Sequence, residues 1–238
     1  PSGTEPRLGT KHFVEAIEEA LAWDTAAGHG AMNPDSMRIE VCEHEFSQTQ
    51  VVYDANGAKV TSFPVVHALS GAVGYRLDFA GVSFAFSGDA RACWPLVRAC
   101  EGVDLLIHEC FPPAAALAAA SGLSIERATI ALNAAHTSPK AAAKVFNLVK
   151  PRVAGLWHTL LSPQVISLVF SELGALYDGP VVQTQDLTVF NVTKEAVVAR
   201  QAKQVDQLPP TPGKQRAAFQ PVAVPPPDWW AEALIPLD

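Results

Sequence analysis

The chain has 238 residues, 49% hydrophobic and 17% charged, which excludes a wholly disordered polymer and suffices for one domain with a substantial core. Its net charge of -7 supplies few cations for nucleic-acid phosphates, so a nucleic-acid partner is disfavoured.

In chain order, apolar positions at Phe13, Val14, Ile17 and Leu21 give helical spacing over residues 11–24, with Thr10 as the cap. Residues 28–35 read as a loop. Residues 39–42 and 50–53 alternate as short strands, and Asp54-Ala55-Asn56-Gly57 turns into a run over 58–66. Residues 74–79 alternate again, Ala80-Gly81 turns, and 82–86 returns, completing a β-meander. Strands and helices then alternate. Helices are predicted over 93–100, 138–149 and 163–176, the second with Ser138-Pro139 as cap and first position. Strands are predicted over 103–108, 153–157, 181–182 and 187–192. Helices covering a sheet in this way place the chain in the α/β class, α+β by some schemes.

Two units are expected, a body over residues 1–200 and a Pro-rich tail over 201–238 in which order falls. Trp229-Trp230 in the tail has two readings, intrachain docking or a homodimer interface. Cys42, Cys93, Cys100 and Cys110 form no C-x-x-C pair, which argues against a zinc finger. They read as small buried thiols and fit a reducing, cytoplasmic setting. No apolar stretch is long enough to cross a bilayer as a helix, so no membrane partner is expected.

Three strand-like runs finish on metal-capable side chains: Ser62–Val66 on His67, Phe84–Phe86 on Asp89 through Ser87-Gly88, and Val153–Trp157 on His158. Imidazole nitrogens with a carboxylate suit zinc, iron or manganese. Each residue alone has a bland reading, as a polar group at a sheet margin or an Asp capping a turn. Four of the seven histidines, His67, His108, His136 and His158, follow apolar strand-like or helix-preceding segments, and the combination outweighs the bland reading. His12, His29 and His44 have no motif context and read as surface or loop residues.

Taken together, Pro1-Ser2-Gly3-Thr4, His67 with Gly74-Tyr75-Arg76, Ser87-Gly88-Asp89, Leu106 to Phe111, His136-Thr137-Ser138 and His158 resemble motifs of the metallo-β-lactamase superfamily in its ribonuclease Z-like branch. Segments such as Val51-Val52-Tyr53-Asp54 and Val192-Thr193-Lys194 are similar to the guanitoxin-biosynthesis-type metallo-hydrolases within it. The resemblance implies an αββα sandwich with two divalent metal ions at one edge, zinc first, with manganese or iron as alternatives. The family's His-x-His-x-Asp-His motif is absent from the sequence. In the family that motif precedes the loop resembled by residues 1–4. The chain is therefore expected to be the C-terminal portion of a longer protein whose N-terminal portion is its partner.

By resemblance, His67 binds one metal, Asp89 bridges both and His158 binds the second. His136 is the helper His near the leaving group, oriented by Glu109. His108 reads as structural, and Tyr75 and Arg76 as packing and a salt bridge. Phe111 and Trp157, with Leu160 and Leu161, are candidates to line the substrate pocket. The implied activity is hydrolysis by a metal-bound hydroxide of a small-molecule ester, phosphoester, sulfate ester or lactone. Two alternatives stand beside it, tRNA 3′-end processing and a metal-free, non-catalytic domain. The first lacks room for a protruding arm between His67 and Asp89, and the kept ligand set argues against the second. With two protein ligands per metal, this chain alone is expected to hold metal weakly and to show little activity.

Overall fold

The computed structural model describes residues 4–27 and 39–203. The loop predicted at 28–35, His29 within it, and the tail beyond residue 203, Trp229 and Trp230 included, lie outside the described residues.

Two alternating segments joined by Asn56-Gly57 become β1 (Gln50–Ala55) and β2 (Ala58–Pro64). Asn56 and Gly57 have φ of 55° and 77°, and Ala80 and Gly81 have φ of 52° and 78°. Paired left-handed residues of this kind match the twist that a two-residue hairpin requires. The second pair joins β3 (Val73–Phe79) to β4 (Val82–Phe86). The meander continues into β5 (Leu105–Glu109), β6 (Val153–Trp157) and β7 (Val181–Gln183). All seven form one sheet in sequence order. The first three pairings are antiparallel and the last three parallel. Parallel neighbours need long crossovers, and these carry the helices. β2 and β4 to β7 consequently all run one way, so their C-terminal ends share one edge.

Helices α3 (Trp94–Cys100), α6 (Pro139–Val149) and α7 (Pro163–Gly174) contribute to the core with the sheet. Ser138 and Ser162 cap α6 and α7 by accepting from Ala141 and Val165 N–H, with Pro in the first turn of both. Phe63, Leu106 and Leu156 from the strands meet Leu96, Phe146 and Val169 from the helices, all with no exposure. A separate hairpin, β8 (Thr188–Val192) with β9 (Val197–Gln201), sets Phe190 and Val192 opposite Leu77, Phe84, Leu105 and Ile107 around a cavity of about 350 Å³. The mixed α/β class expected from the sequence is observed. A second large sheet, the other half of the implied sandwich, is not among the described residues.

Several local expectations are corrected. Thr10 is the first residue of α1 (Thr10–Ala20) and Gly9 takes the cap position, so the Thr10 hydroxyl caps nothing. The predicted helix breaks at Leu21 before α2 (Ala22–Ala27). Residues 39–42 alternate in sequence but have no strand partner, and Ile39 and Cys42 are exposed. No helix is predicted over α4 (Ala114–Ser121), which is nearly all alanine, or over α5 (Ile125–Ala135), whose Ile125 and Ile130 face solvent. Strand β9 is not predicted either. Among the described residues no single helix is long and apolar enough to cross a bilayer.

Candidate metal centre

The shared edge of β2, β4, β5 and β6 collects the chemistry. Asp89 leaves β4 through Ser87-Gly88, where Gly88 has φ of 61°. Ser87 Oγ donates to Gly88 O (2.6 Å) and accepts from Glu109 N–H (3.0 Å), so the turn is tied to the next strand. Glu109 is the last residue of β5. His158 follows β6 directly and has φ of 57°, a left-handed backbone unusual for a side chain of its size. Beyond β2, Val66 and Arg91 form an isolated bridge, with Arg91 N–H donating to Val66 O (2.7 Å), and His67 follows.

Asp89 is the meeting point. His158 Nδ1 lies 3.2 Å from its Oδ1 and His67 Nε2 lies 4.0 Å from its Oδ2. His67 Nδ1 lies 2.9 Å from Ala135 O; donation to that carbonyl leaves Nε2 as the acceptor nitrogen near Asp89. His158 Nδ1 is also 3.7 Å from Glu109 Oε2. Ligand atoms of Asp89, Glu109, His136 and His158 all lie within 4.8 Å of one another. The rings of His67, His136 and His158 form a chain of edge contacts at 5.4 Å. Phe111 stacks on His136 (4.1 Å between centroids, 7° between planes) and meets His158 edge-on at 5.1 Å.

Glu109 has no solvent exposure and is saturated with donors. Its Oε1 accepts from Thr137 N–H (2.7 Å) and lies 3.1 Å from His136 Nδ1, and its Oε2 accepts from Ala90 N–H (2.8 Å). Thr137 Oγ1 donates to Ala90 O (2.6 Å), closing a ring of bonds between the Asp89 and His136 loops. Burial pushes the Glu109 carboxyl up to about 7 against the pull of the two backbone N–H groups and His158. Burial and then the neighbouring His67 pull His136 below its ordinary value, against Asp89. Burial thus raises the carboxyl and lowers the imidazole on the two sides of a 3.1 Å contact.

The structure brings together His67, Asp89, Glu109, Phe111, His136 and His158. Trp157 packs between Phe86 and His158 (4.8 and 5.3 Å), and its buried Nε1 has no partner among the described residues. Leu160 is half-buried and Leu161 exposed. His108 points into the helix-covered core against Phe146, away from the cluster. Arg76 pairs with Asp78 (2.9 Å). His44 is half-buried beside Tyr75 rather than a free surface residue. Sequence reasoning missed Ser87, Ala135 and Thr137 as supports. The small polar residue beside each motif acid or imidazole was the available signal for Ser87 and Thr137; Ala135 acts through its carbonyl, which no side-chain pattern reports.

No protein-family model matches the chain, and no curated protein does either. Among solved structures it is similar to a metallo-beta-lactamase fold protein from Bacillus subtilis, at 16% identity and TM-score 0.44 over 60% of this chain and 52% of that one. It is also similar to human tRNase Z, short form, at 17% identity and TM-score 0.45 over 75% and 63% of the two chains. A diphosphatase of the PhnP family gives 12% identity and TM-score 0.43 over 73% and 52%. The chain thus spans between half and two thirds of these structures' length. At TM-scores below 0.5 these likenesses carry no functional weight.

Proposed function

We propose that this protein is a metal-dependent hydrolase of a small-molecule ester, phosphoester, sulfate ester or lactone. The observation that carries the reading is the convergence of Asp89, Glu109, His136 and His158 within 4.8 Å at one sheet edge, with His67 Nε2 facing Asp89. Imidazoles plus carboxylates are a donor set for zinc, iron or manganese. The hydrogen-bonding position of His67 Nδ1 supports the fit, because it leaves the ligand nitrogen free. Asp89, His158 and His67 would hold a cation, with Glu109 Oε2 the nearest further oxygen. A bound divalent ion supplies Lewis acidity and a water that ionises near neutral pH.

The residues do the remaining work. Asp89 presents one oxygen to each of two imidazoles. Glu109 fixes both flanking loops and, through Nδ1, the His136 ring. His136 is the group positioned to exchange a proton with the leaving atom, and the Phe111 ring holds it flat and shields one face from water. On this chain His67, Asp89 and His158 offer three donors to a single cation. RNA processing is disfavoured, because residues 68–88 hold only a five-residue link, β3, β4 and the short turns beside them, with no room for a protruding arm.

The test is calorimetric titration of zinc and manganese into the chelator-treated chain, followed by a panel of ester, phosphodiester, sulfate and lactone substrates. Weak binding of about one equivalent of metal per chain is expected, lost in Asp89→Asn, with slow hydrolysis of at least one substrate class. No metal binding and no hydrolysis would instead make this a non-catalytic domain.

A further inference from the structure

His136 belongs to two sites at once. Besides its place in the edge cluster, it lines a cavity of about 140 Å³ together with Arg91, Leu132, Asn133, Ser138 and Ala141. Arg91 is the only formally charged group in that wall, and no carboxylate lines it. Arg76 and Arg152 are paired to Asp78 and Asp104, whereas Arg91 has no ion pair among the described residues. Asp89 is only two positions away in sequence, yet the two side chains do not pair. Arg98 and Arg127 also lack ion pairs among the described residues, but Arg91 alone lines a cavity with a residue of the edge cluster, His136.

The backbone that carries Arg91 is fixed with respect to the cluster. Its own N–H donates to Val66 O (2.7 Å), and the preceding Ala90 is held by Glu109 Oε2 and Thr137 Oγ1. The base of the side chain is therefore preorganised relative to Asp89 and His136. The Asn133 amide and the Ser138 hydroxyl, whose oxygen accepts from Ala141 N–H (3.3 Å), add neutral donors to the wall. The volume equals that of four to five waters at ~30 Å³ each, room for an oxyanion head group and little more. A guanidinium fork is matched to carboxylate, phosphate and sulfate oxygens.

We propose that this cavity receives an oxyanion group of the substrate, bound by Arg91 with Asn133 and Ser138, and that Arg91 sets substrate specificity for anionic molecules. The inference rests on the hydrolase reading for the word substrate. The anion site itself stands on the cavity and its cation, and binding can be measured without turnover.

Two measurements on the 238-residue chain decide it. In the first, inorganic phosphate, sulfate and acetate are titrated into the metal-free protein by calorimetry, in wild type, Arg91→Ala, Arg91→Lys and Asn133→Ala. Metal-free protein is used so that the anion cannot bind a cation instead. Arg91 is exposed, so its substitution spares the core. Wild type is expected to bind at least one of the anions, with a roughly 10- to 100-fold loss in Arg91→Ala and partial retention in Arg91→Lys. Ranking the three anions identifies which group the site prefers. In the second, matched anionic and neutral substrates are compared on the metal-loaded protein. Arg91→Ala is expected to lower the anionic-to-neutral kcat/KM ratio roughly 10-fold or more, mainly through KM. Equal anion binding by wild type and Arg91→Ala, or no binding by either, overturns the inference whatever the hydrolysis result. Arg91-dependent anion binding without turnover of any substrate leaves the anion site standing and defeats the hydrolase reading alone.

Discussion

Glu109 is a fully buried carboxyl that accepts two backbone N–H groups and faces the imidazoles of His136 and His158. Burying such a group is tolerated only when its lone pairs are satisfied. Glu109→Gln keeps the shape but turns an NH₂ toward an N–H donor, whichever way the amide is flipped. The expected cost is about 1–3 kcal/mol of stability, with a loss of more than ~10-fold in kcat as His136 loses its basic partner. Chemical denaturation and a pH–rate profile check the two effects separately. His108, one position earlier, is buried without a role in the cluster. Its Nδ1 lies 2.6 Å from Glu109 O, and its Nε2 has no partner among the described residues. Burial pulls it from 6.5 down to about 4. The folded state therefore binds its proton less readily than the unfolded chain. That stability is present above pH ~6.5 and is lost as pH falls toward 4, on the order of 3 kcal/mol in total. His108→Leu is expected to flatten the dependence of Tm on pH over that interval, and an unchanged slope refutes the assignment.

Elements deliver these residues because strand ends are built with little freedom. Gly74 sits opposite Phe63 in the β2–β3 register, and a methyl there would overlap the Phe63 ring and crowd Phe86 O. Phe63 is wholly buried, so its ring has nowhere to swing. Gly74→Ala is expected to cost about 1–3 kcal/mol by overpacking, read as a lower denaturant midpoint with an unchanged slope. An equal midpoint would mean that the sheet relaxes there. The α4–α5 excursion has another function. It leaves the edge after Phe111 and returns His136 to it, so the stacked Phe111–His136 pair closes both ends of the excursion. Phe111→Ala is expected to loosen His136 and reduce kcat more than metal affinity.

At the scale of the whole molecule, the sheet places one face in the helix-covered core and its C-terminal edge at the candidate metal centre. A ligand that binds only the folded state stabilises it by mass action. Zinc at about 100 times its Kd adds ~2.7 kcal/mol, which for a chain of this size raises Tm by about 5–10 °C. A chelator is expected to reverse the gain, and Asp89→Asn with His158→Ala to abolish it in differential scanning calorimetry. A shift that survives both substitutions would place the metal elsewhere.

Alternation and turn chemistry act over a few residues, and so β1 to β4, with their Asn56-Gly57 and Ala80-Gly81 turns, were legible without coordinates. The edge positions of His67, Asp89 and His158 followed from where the apolar runs stopped. Residues 39–42 show the limit, since alternation without a pairing partner makes no strand. The nearly all-alanine α4 has no amphipathic period to read, and in α5 the isoleucines lie on the solvent face while the buried side is mostly alanine. Only the tertiary structure determined that Glu109 reaches Ala90 and Thr137, that Ala135 orients His67, and that Arg91 shares a cavity with His136. Those bonds join residues 19 to 68 positions apart. Their partners are chosen by how the strands and crossovers pack, which no local period records.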